Sequence, residues 1–379
     1  MDTAKDSIAT NCAEWRTATS GAAPASEVAM RVFWDPVQLS HTPRFFLVRG
    51  RVKPHLEVPA RAEALLAACQ ELRMAIAAPP QADRAVLLAV HTQDYLDFLR
   101  HAAAAWSTLP DAAEEALPNT HPLPEMLASG GRMPEGLPGR VGWYTTDLAC
   151  PIGAGTWEAA EAAAACAIAT ADVAAAGGSA YALTRPPGHH AYAARAGGHC
   201  YLNNAAMAAE RLRAKGVSRV AVLDIDSHHG NGTQGLFWRR GDVLFVSVHG
   251  DPNRYYPWYT GHADERGAGA GEGCNINLPL PFGTGDDGWL AAIRTGIQAI
   301  RAFGAEALVV SLGFDASRDE PLNALAVTAE GFARAGAETG TLCLPTAIVQ
   351  EGGYNISVIG TLLTRFMDSF CSTSTLVVR

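Results

Sequence analysis

The run Arg219-Val220-Ala221-Val222-Leu223 constrains this chain most. It is apolar and β-branched without alternation, the pattern of a strand buried on both faces of a parallel sheet. Such a strand needs helices on both sides, joined through right-handed crossovers. Polarity then switches at once, to Asp224-Ile225-Asp226-Ser227-His228-His229-Gly230-Asn231-Gly232. With a period of two, Asp224, Asp226 and His228 leave the strand on one side. Two carboxylates and an imidazole at a strand exit are a ligand set suited to a divalent ion of the zinc type.

Strand and helix alternate around this run. Strands are expected at Arg31–Trp34, Ala85–Val90, Ala180–Thr184, Val243–Val248, Ala307–Leu312 and Thr346–Gln350. Helices are expected at Glu57–Ala77, Asp94–Ala105, Trp157–Ala176, Asn204–Lys215, Gly288–Phe303 and Thr328–Leu342. The reading is one α/β domain from residue 30 to 379, with a central, mostly parallel sheet flanked by helices on both faces. Residues 1–29 lack the hydrophobic centre of a signal peptide and read as a flexible extension. Residues 107–155 turn to Pro, Gly and scattered polar residues with no period, and read as an irregular functional insertion. Its Trp143 and Tyr144 are as consistent with a partner contact as with packing, and its acidic residues Glu114, Glu115, Glu125 and Glu135 read as a solvated face.

Bulk properties exclude several classes. A net charge of −9 argues against a nucleic-acid surface. Eight cysteines lie scattered without a CxxC pair, which fits reduced thiols in the cytoplasm better than a disulfide framework. No apolar run is long enough to span a membrane. No GxGxxG follows a first strand, so a dinucleotide fold has no support.

Every polar cluster follows a strand. Arg185-Pro186-Pro187-Gly188-His189-His190, the Asp226/His228 cluster, Gly313-Phe314-Asp315 and Glu351-Gly352-Gly353-Tyr354 all sit at such exits. Ligands of parallel sheets bind just beyond the carboxyl ends of strands, so the four clusters should form one site. Asp226, His228 and Asp315 supply three ligands and leave positions for water and a substrate carbonyl. The adjacent histidines give a base and an electrostatic partner, with Asp224 and Asn231 as candidate orienters of the far ring nitrogens. Whichever ring pairs with the neutral Asn is the better base near neutral pH. Tyr354, on a Gly-Gly turn, can donate to an oxyanion. The sum is metal-assisted amide hydrolysis without a Ser or Cys nucleophile. His229, outside the alternation, reads as packing, His249 as a supporting or core residue, and Cys200 as a buried small hydrophobe.

The ordered motifs RPPGHH, GGHCYLNNAA, VLDIDSHHGNGTQ, SLGFD and QEGGY resemble the histone deacetylase superfamily from about Met30 to about Leu363. The stretches Gly142–Glu158 and Gly241–Pro252 are most similar to its bacterial acetylpolyamine amidohydrolases. The resemblance implies an arginase–deacetylase fold with one zinc ion, or ferrous iron, on Asp226, His228 and Asp315. It implies His190 as general base and acid, His189 as its electrostatic partner, and Tyr354 as oxyanion donor, with Asp224 and Asn231 pairing with His189 and His190 in turn. Gly198 and His199 would line the acyl tunnel, with Leu322 near its mouth. A structural potassium ion would use Asp224, Ser247 and backbone oxygens around Asp226, His228 and Val248. The insertion would form a homodimer and narrow the mouth, so that small acetylated amines enter. His199 departs from the aromatic wall residue usual in the family, and the acidic residues expected around the mouth have only Glu125 and Glu135 as candidates.

Three other functions compete. A deacetylase of protein acetyl-lysine would share the whole centre and differ at the mouth. An arginase-like binuclear site would want a second carboxylate at position 317, where Ser317 stands. A non-catalytic sensor would be expected to lose a ligand or the base, and none is lost.

Overall fold

The computed structural model describes residues 30–322 and 324–374; the extension expected at 1–29 lies outside the described residues. Along the chain the elements are β1 (Arg31–Phe33), β2 (Phe45–Val48), β3 (Arg51–Pro54), α1 (Pro59–Glu71), β4 (Ala75–Ala77), α2 (Arg84–Val90), α3 (Gln93–Trp106), α4 (Pro124–Ala128), α5 (Leu137–Trp143) and α6 (Thr156–Ala175). They continue as β5 (Ser179–Ala182), α7 (Asn204–Ala214), β6 (Val220–Asp224), α8 (Asn231–Phe237), β7 (Val243–Gly250), β8 (Asn275–Leu280), α9 (Asp286–Phe303), β9 (Ala307–Leu312), α10 (Ala329–Gly340), β10 (Thr346–Gln350) and α11 (Ile356–Thr373).

Eight strands form one sheet in the order β4-β1-β5-β10-β9-β6-β7-β8, and every pairing in it is parallel. The period of two divides the core. Val220, Val222, Phe245 and Val349 face one layer, with Ala160 and Ala164 of α6 and Met207 and Leu212 of α7. Ala221, Leu223, Val246 and Ile348 face the other, with Trp289 and Ile293 of α9, Phe332 of α10 and Phe366 of α11. The register aligns the carboxyl ends: Asp224 lies opposite Ser247 of β7 and Ser311 of β9, and Gln350 lies opposite Leu312. One edge of the sheet therefore collects the loops after β5, β6, β9 and β10.

Several sequence expectations are corrected. Ala85–Val90 is helical rather than a strand: Asp83 caps it by accepting from the Ala85 N–H at 2.9 Å, and Val86, Leu87 and Val90 are buried on one helical face. A short apolar run cannot by itself distinguish the two. The helix expected over Glu57–Ala77 ends at Glu71; the chain turns at Arg73, with φ of 54°, and re-enters the sheet as β4. The insertion is not wholly irregular, since α4 and α5 lie within it. Tyr144 is fully buried in its own chain, stacked on Phe98 with ring centroids 4.5 Å apart and donating to Asp94 at 2.8 Å. Glu115 is buried rather than solvated and accepts from the Arg44 N–H at 2.8 Å. The β2–β3 hairpin, β8, α8 and α11 lie outside the elements expected from the sequence.

Candidate active site

β6 delivers Asp226 and His228, and β9 delivers Asp315. One donor atom from each lies within 4.8 Å of the others, and all three residues are buried. His228 Nδ1 stands 2.8 Å from Asp315 Oδ2 and 3.2 Å from Asp226 Oδ1. Backbone donors hold the carboxylates in place: Gly352 N–H to Asp226 Oδ2 at 2.9 Å, and Ser227 N–H to Asp315 Oδ1 at 2.7 Å. A side chain at Gly352 would stand 2.5 Å from Asp315 Oδ2 and 2.6 Å from Asp226 Oδ2, so glycine is required there. Among the described residues, the two carboxylates have only imidazoles as ion-pair partners, with no lysine or arginine. Two buried acids so placed need a cation. Burial opposes the charged form of His228, yet Asp315 and Asp226 raise its pKa to about 9. A divalent ion on the three donors would take over that balancing charge and leave the ring neutral. The residues fit such an ion.

The loop after β5 carries His189 and His190, with ring centroids 4.0 Å apart. His189 Nδ1 lies 3.0 Å from Asp224 Oδ2, and its Nε2 lies 3.8 Å from Asp226 Oδ1. Burial disfavours its charge, but Asp224 and Asp226 outweigh burial and raise its pKa to about 10. Asp224 is pushed up to about 6 by burial, against the pull of His189, and is ionised at neutral pH. His190 Nδ1 instead lies 2.6 Å from Asn231 Oδ1, and the Asn231 NH₂ donates to the Tyr192 hydroxyl at 3.0 Å. That fixes the amide with its oxygen toward His190, so Nδ1 carries the proton and Nε2 is free to accept one. Burial, then the charges of His189 and His228, hold the His190 pKa well below the usual histidine value.

Tyr354 follows β10 on Gly353, whose φ is 111° and where a side chain would stand 2.8 Å from Phe314 Cβ. Its backbone N–H donates to Glu320 Oε1 at 2.9 Å. Burial raises the phenol well above its usual pKa, so it stays a donor. Beneath it, Arg61 donates to the Gly353 carbonyl at 2.5 Å, to the Glu351 carbonyl at 2.8 Å and to Glu57 at 2.7 Å. Glu351 itself accepts from the Gly188 and His189 N–H groups at 2.7 and 3.1 Å, tying the loop after β10 to the loop after β5.

The tunnel residues expected from the sequence lie beside this centre. Gly198 and His199, with φ of 54° and 70°, are the middle of a tight turn closed by Gly197 and Cys200. His199 packs against Tyr354 with ring centroids 5.5 Å apart, and its Nδ1 donates to the Ala149 carbonyl at 2.9 Å. Leu322 is half-buried and accepts from the Tyr255 hydroxyl, whose ring stacks on His228 at 4.3 Å. Asp224 and Ser247, expected around potassium with Val248, are buried register partners on adjacent strands. His229 is buried, bonded to Gln234 at 3.0 Å and packed on His249; Cys200 is buried, and burial raises its thiol pKa.

Sequence reasoning missed Arg61, Glu320, Asp147 and Tyr256. Tyr256 stands edge-on to His190, ring centroids 4.9 Å apart, and donates to Asp147 at 2.6 Å. The contacts that bring these residues to the site, Arg61 to Gly353, Glu320 to Tyr354 and Asp147 to Tyr256, span 292, 34 and 109 positions, beyond any local pattern.

Comparison with known proteins agrees with this geometry. The histone deacetylase domain profile matches residues 55–370. An acetylpolyamine amidohydrolase of Burkholderia pseudomallei is 43% identical over 90% of this chain and 98% of its own. The acetylpolyamine amidohydrolase of Mycoplana ramosa is 40% identical over 87% of this chain and 96% of its own. The crystal structure of the acetylpolyamine aminohydrolase from Burkholderia pseudomallei superposes with a TM-score of 0.87 at 42% identity, covering 91% of this chain and 99% of that one. With the profile spanning most of its length and the site in register, this chain belongs to the histone deacetylase family.

Proposed function

We propose that this chain is a metal-dependent amidohydrolase that removes the acetyl group from acetylated polyamines or similar slender acetylated amines. The observation that carries the chemistry is the contrast between the paired histidines, one cationic between two carboxylates and one neutral against an amide. Zinc, or ferrous iron, held by Asp226, His228 and Asp315 would supply a Lewis acid that polarises the amide carbonyl and acidifies a water. His190 Nε2 takes a proton from the attacking water as its oxygen bonds to the carbonyl carbon. The Tyr354 hydroxyl donates to the carbonyl oxygen as negative charge develops there. His190 then gives the proton to the amine nitrogen as the C–N bond breaks, releasing acetate and the free amine. His189, held cationic by Asp224, keeps the potential around His190 positive, so His190 starts neutral and parts readily with the proton it has taken.

The substrate reading rests on the relatives, whose names give acetylpolyamines as what they act on. Potassium is assigned to Asp224, Ser247 and the backbone of Asp226, His228 and Val248, as a structural ion behind the site. A second copy of the chain is assigned to the insertion, where Leu123, Met126, Leu127 and Met133 are exposed on and beside α4. The catalytic unit is assigned from residue 30, and the site of action to the cytoplasm, where the scattered cysteines without a CxxC pair fit reduced thiols. No helix among the described residues is long and apolar enough to cross a membrane.

The test is kcat/KM for N-acetylputrescine against an acetyl-lysine peptide, on zinc-loaded protein, with Tyr354→Phe as control. Preference for the diamine supports the reading; preference for the peptide replaces it with protein deacetylation. Activity that survives Tyr354→Phe undiminished would remove the assigned oxyanion donor.

A further inference from the structure

Glu320 belongs to none of the metal, histidine or tunnel groups, yet its carboxylate grips the residue assigned as oxyanion donor. The side chain is buried, and its bonds come from two neighbouring backbone groups. The Tyr354 N–H donates to Oε1 at 2.9 Å and to Oε2 at 3.0 Å, and the Asn355 N–H donates to Oε2 at 3.2 Å. Asn355 caps α11, a helix of 18 residues, so the carboxylate also faces that helix's positive end. Burying a carboxylate is costly, and these contacts offset the cost.

The backbone so held has an open pivot. Gly352 and Gly353 precede Tyr354, and Gly353 has φ of 111°. Rotation there would swing the phenol while leaving β10 in place. The peptide between Gly353 and Tyr354 is instead gripped at both edges. Arg61 binds its carbonyl at 2.5 Å, and Glu320 binds its N–H.

Glu320 is tied in turn to the metal side, since it lies on the loop after β9 that carries Asp315. Tight turns compact that loop: the Ser317 N–H donates to the Phe314 carbonyl and the Glu320 N–H to the Ser317 carbonyl, each at 3.2 Å. Two further bonds cross to the loop after β10, from the Phe314 N–H to the Gly352 carbonyl at 3.1 Å and from the Asn355 side chain to the Asp319 carbonyl at 2.6 Å. In the proposed reaction the metal and the phenol act on one carbonyl oxygen, so their relative placement matters.

We propose that Glu320 is a positioning residue for the oxyanion donor, fixing the Gly353–Tyr354 peptide to the Asp315 loop and so setting where the Tyr354 hydroxyl stands relative to the metal ligands. The proposal rests on the amidohydrolase reading above and names the group that aims its donor. Glu320 acts on the reaction only through Tyr354.

The test is a double-mutant cycle on metal-loaded protein with N-acetylputrescine. Glu320→Ala should lower kcat about tenfold or more with KM little changed, within the loss of about a hundred- to thousandfold expected for removing the donor itself in Tyr354→Phe. In the Tyr354→Phe background the same change should cost about twofold at most, because the hydroxyl it aims is gone. Glu320→Gln sets an NH₂ against one of the two N–H groups and should lose about threefold; it carries the cycle if Glu320→Ala fails to fold. Equal losses in both backgrounds, or no loss with Tyr354 present, would make Glu320 a brace of the fold and overturn the proposal. Fluorine NMR of fluorotyrosine-labelled protein gives a readout without turnover, the Tyr354 line being the one absent from Tyr354→Phe. Glu320→Ala should broaden or split that line; a line unchanged in width and position would show the ring still held and overturn the proposal. Should wild type hydrolyse no acetamide, the amidohydrolase reading fails, and the fluorine line still decides whether Glu320 holds Tyr354.

Discussion

The Arg61 guanidinium lies 4.7 Å from the centroid of the Tyr354 ring while its Nε donates to the carbonyl of Gly353, the residue just before that tyrosine. One buried cation thus holds the ring by its face and the backbone by its carbonyl. Glu57 fixes Arg61 in turn and also binds Arg185, 3.0 Å away, on the loop that leads to the histidine pair.

Arg61→Lys should keep the charge but lose the planar fork. A lysine cannot serve Glu57 and two carbonyls at once in that geometry, so Tyr354 should lose its fixed orientation. The expected result is kcat reduced about tenfold or more with KM little changed, the pattern of an interaction made in the transition state. Arg61→Met would leave the buried Gly353 carbonyl without its donor, while the Glu351 carbonyl keeps the Gln350 amide, and would weaken the support of Glu57, costing about 3 kcal/mol of stability by denaturant titration.

Stability should fall with acid in a way traceable to His91. It is buried, accepts from the Asn203 N–H at 2.9 Å through Nε2, and lies 3.3 Å through Nδ1 from the Ala193 carbonyl. Protonation would break the first bond, and burial lowers its pKa from 6.5 to about 4. The folded value lies below the unfolded one, so the contribution is fully present above pH 6.5 and is lost as pH falls toward 4. Other groups titrate in this range with the opposite sign, including Glu320, which burial raises to about 7. The difference from His91→Gln isolates the effect: between pH 7 and pH 5 wild type should lose about 2 kcal/mol more than the variant. Equal losses would place the histidine outside the acid response.

How far the site was legible follows from where its bonds lie. Asp226, His228, Asp315, His189, His190 and Tyr354 are each announced by a short run beyond a strand, because the parallel sheet brings every strand exit to one edge. Asp147 binds Tyr256 across 109 positions, and Arg61 binds Gly353 across 292; no local pattern encodes either pairing. The same limit applies to the fold. β6 and β9 are nearly continuous apolar runs and read as strands, while the seven residues of α2 show too little period to separate helix from strand. β8 carries Asn275, Asn277 and Pro279 and closes the sheet as an edge, so its run does not show the apolar pattern of a strand.

Metal removal should unfold the site before the sheet. Without a cation, Asp226 and Asp315 face each other with only imidazoles to balance them. Stripping the protein with dipicolinate should lower the melting temperature, and added zinc should restore it. A thousandfold excess of free metal over Kd corresponds to about 4 kcal/mol of stabilisation. An Asp315→Asn variant should bind metal weakly and melt at nearly the same temperature with and without zinc. Wild type that melts identically in both states would remove the three residues as a metal centre.

Gly198→Ala offers the sharpest separation of stability from chemistry. The backbone there is left-handed, with φ of 54°, and alanine costs about 1 to 2 kcal/mol in that conformation. The added methyl would overlap the His190 ring and crowd the Tyr256 hydroxyl. His190 is anchored on its far side by Asn231, so the ring can yield only by lengthening that 2.6 Å bond or by swinging Nε2 away from the reacting water. Either movement displaces the base, and a displacement near 1 Å costs about a hundredfold in rate. The variant should therefore fold, bind zinc and melt a few degrees lower, yet lose about two orders of magnitude in kcat. Circular dichroism, metal content and steady-state kinetics on one preparation check all three, and near-wild-type kcat would show that the ring has room the geometry does not give it.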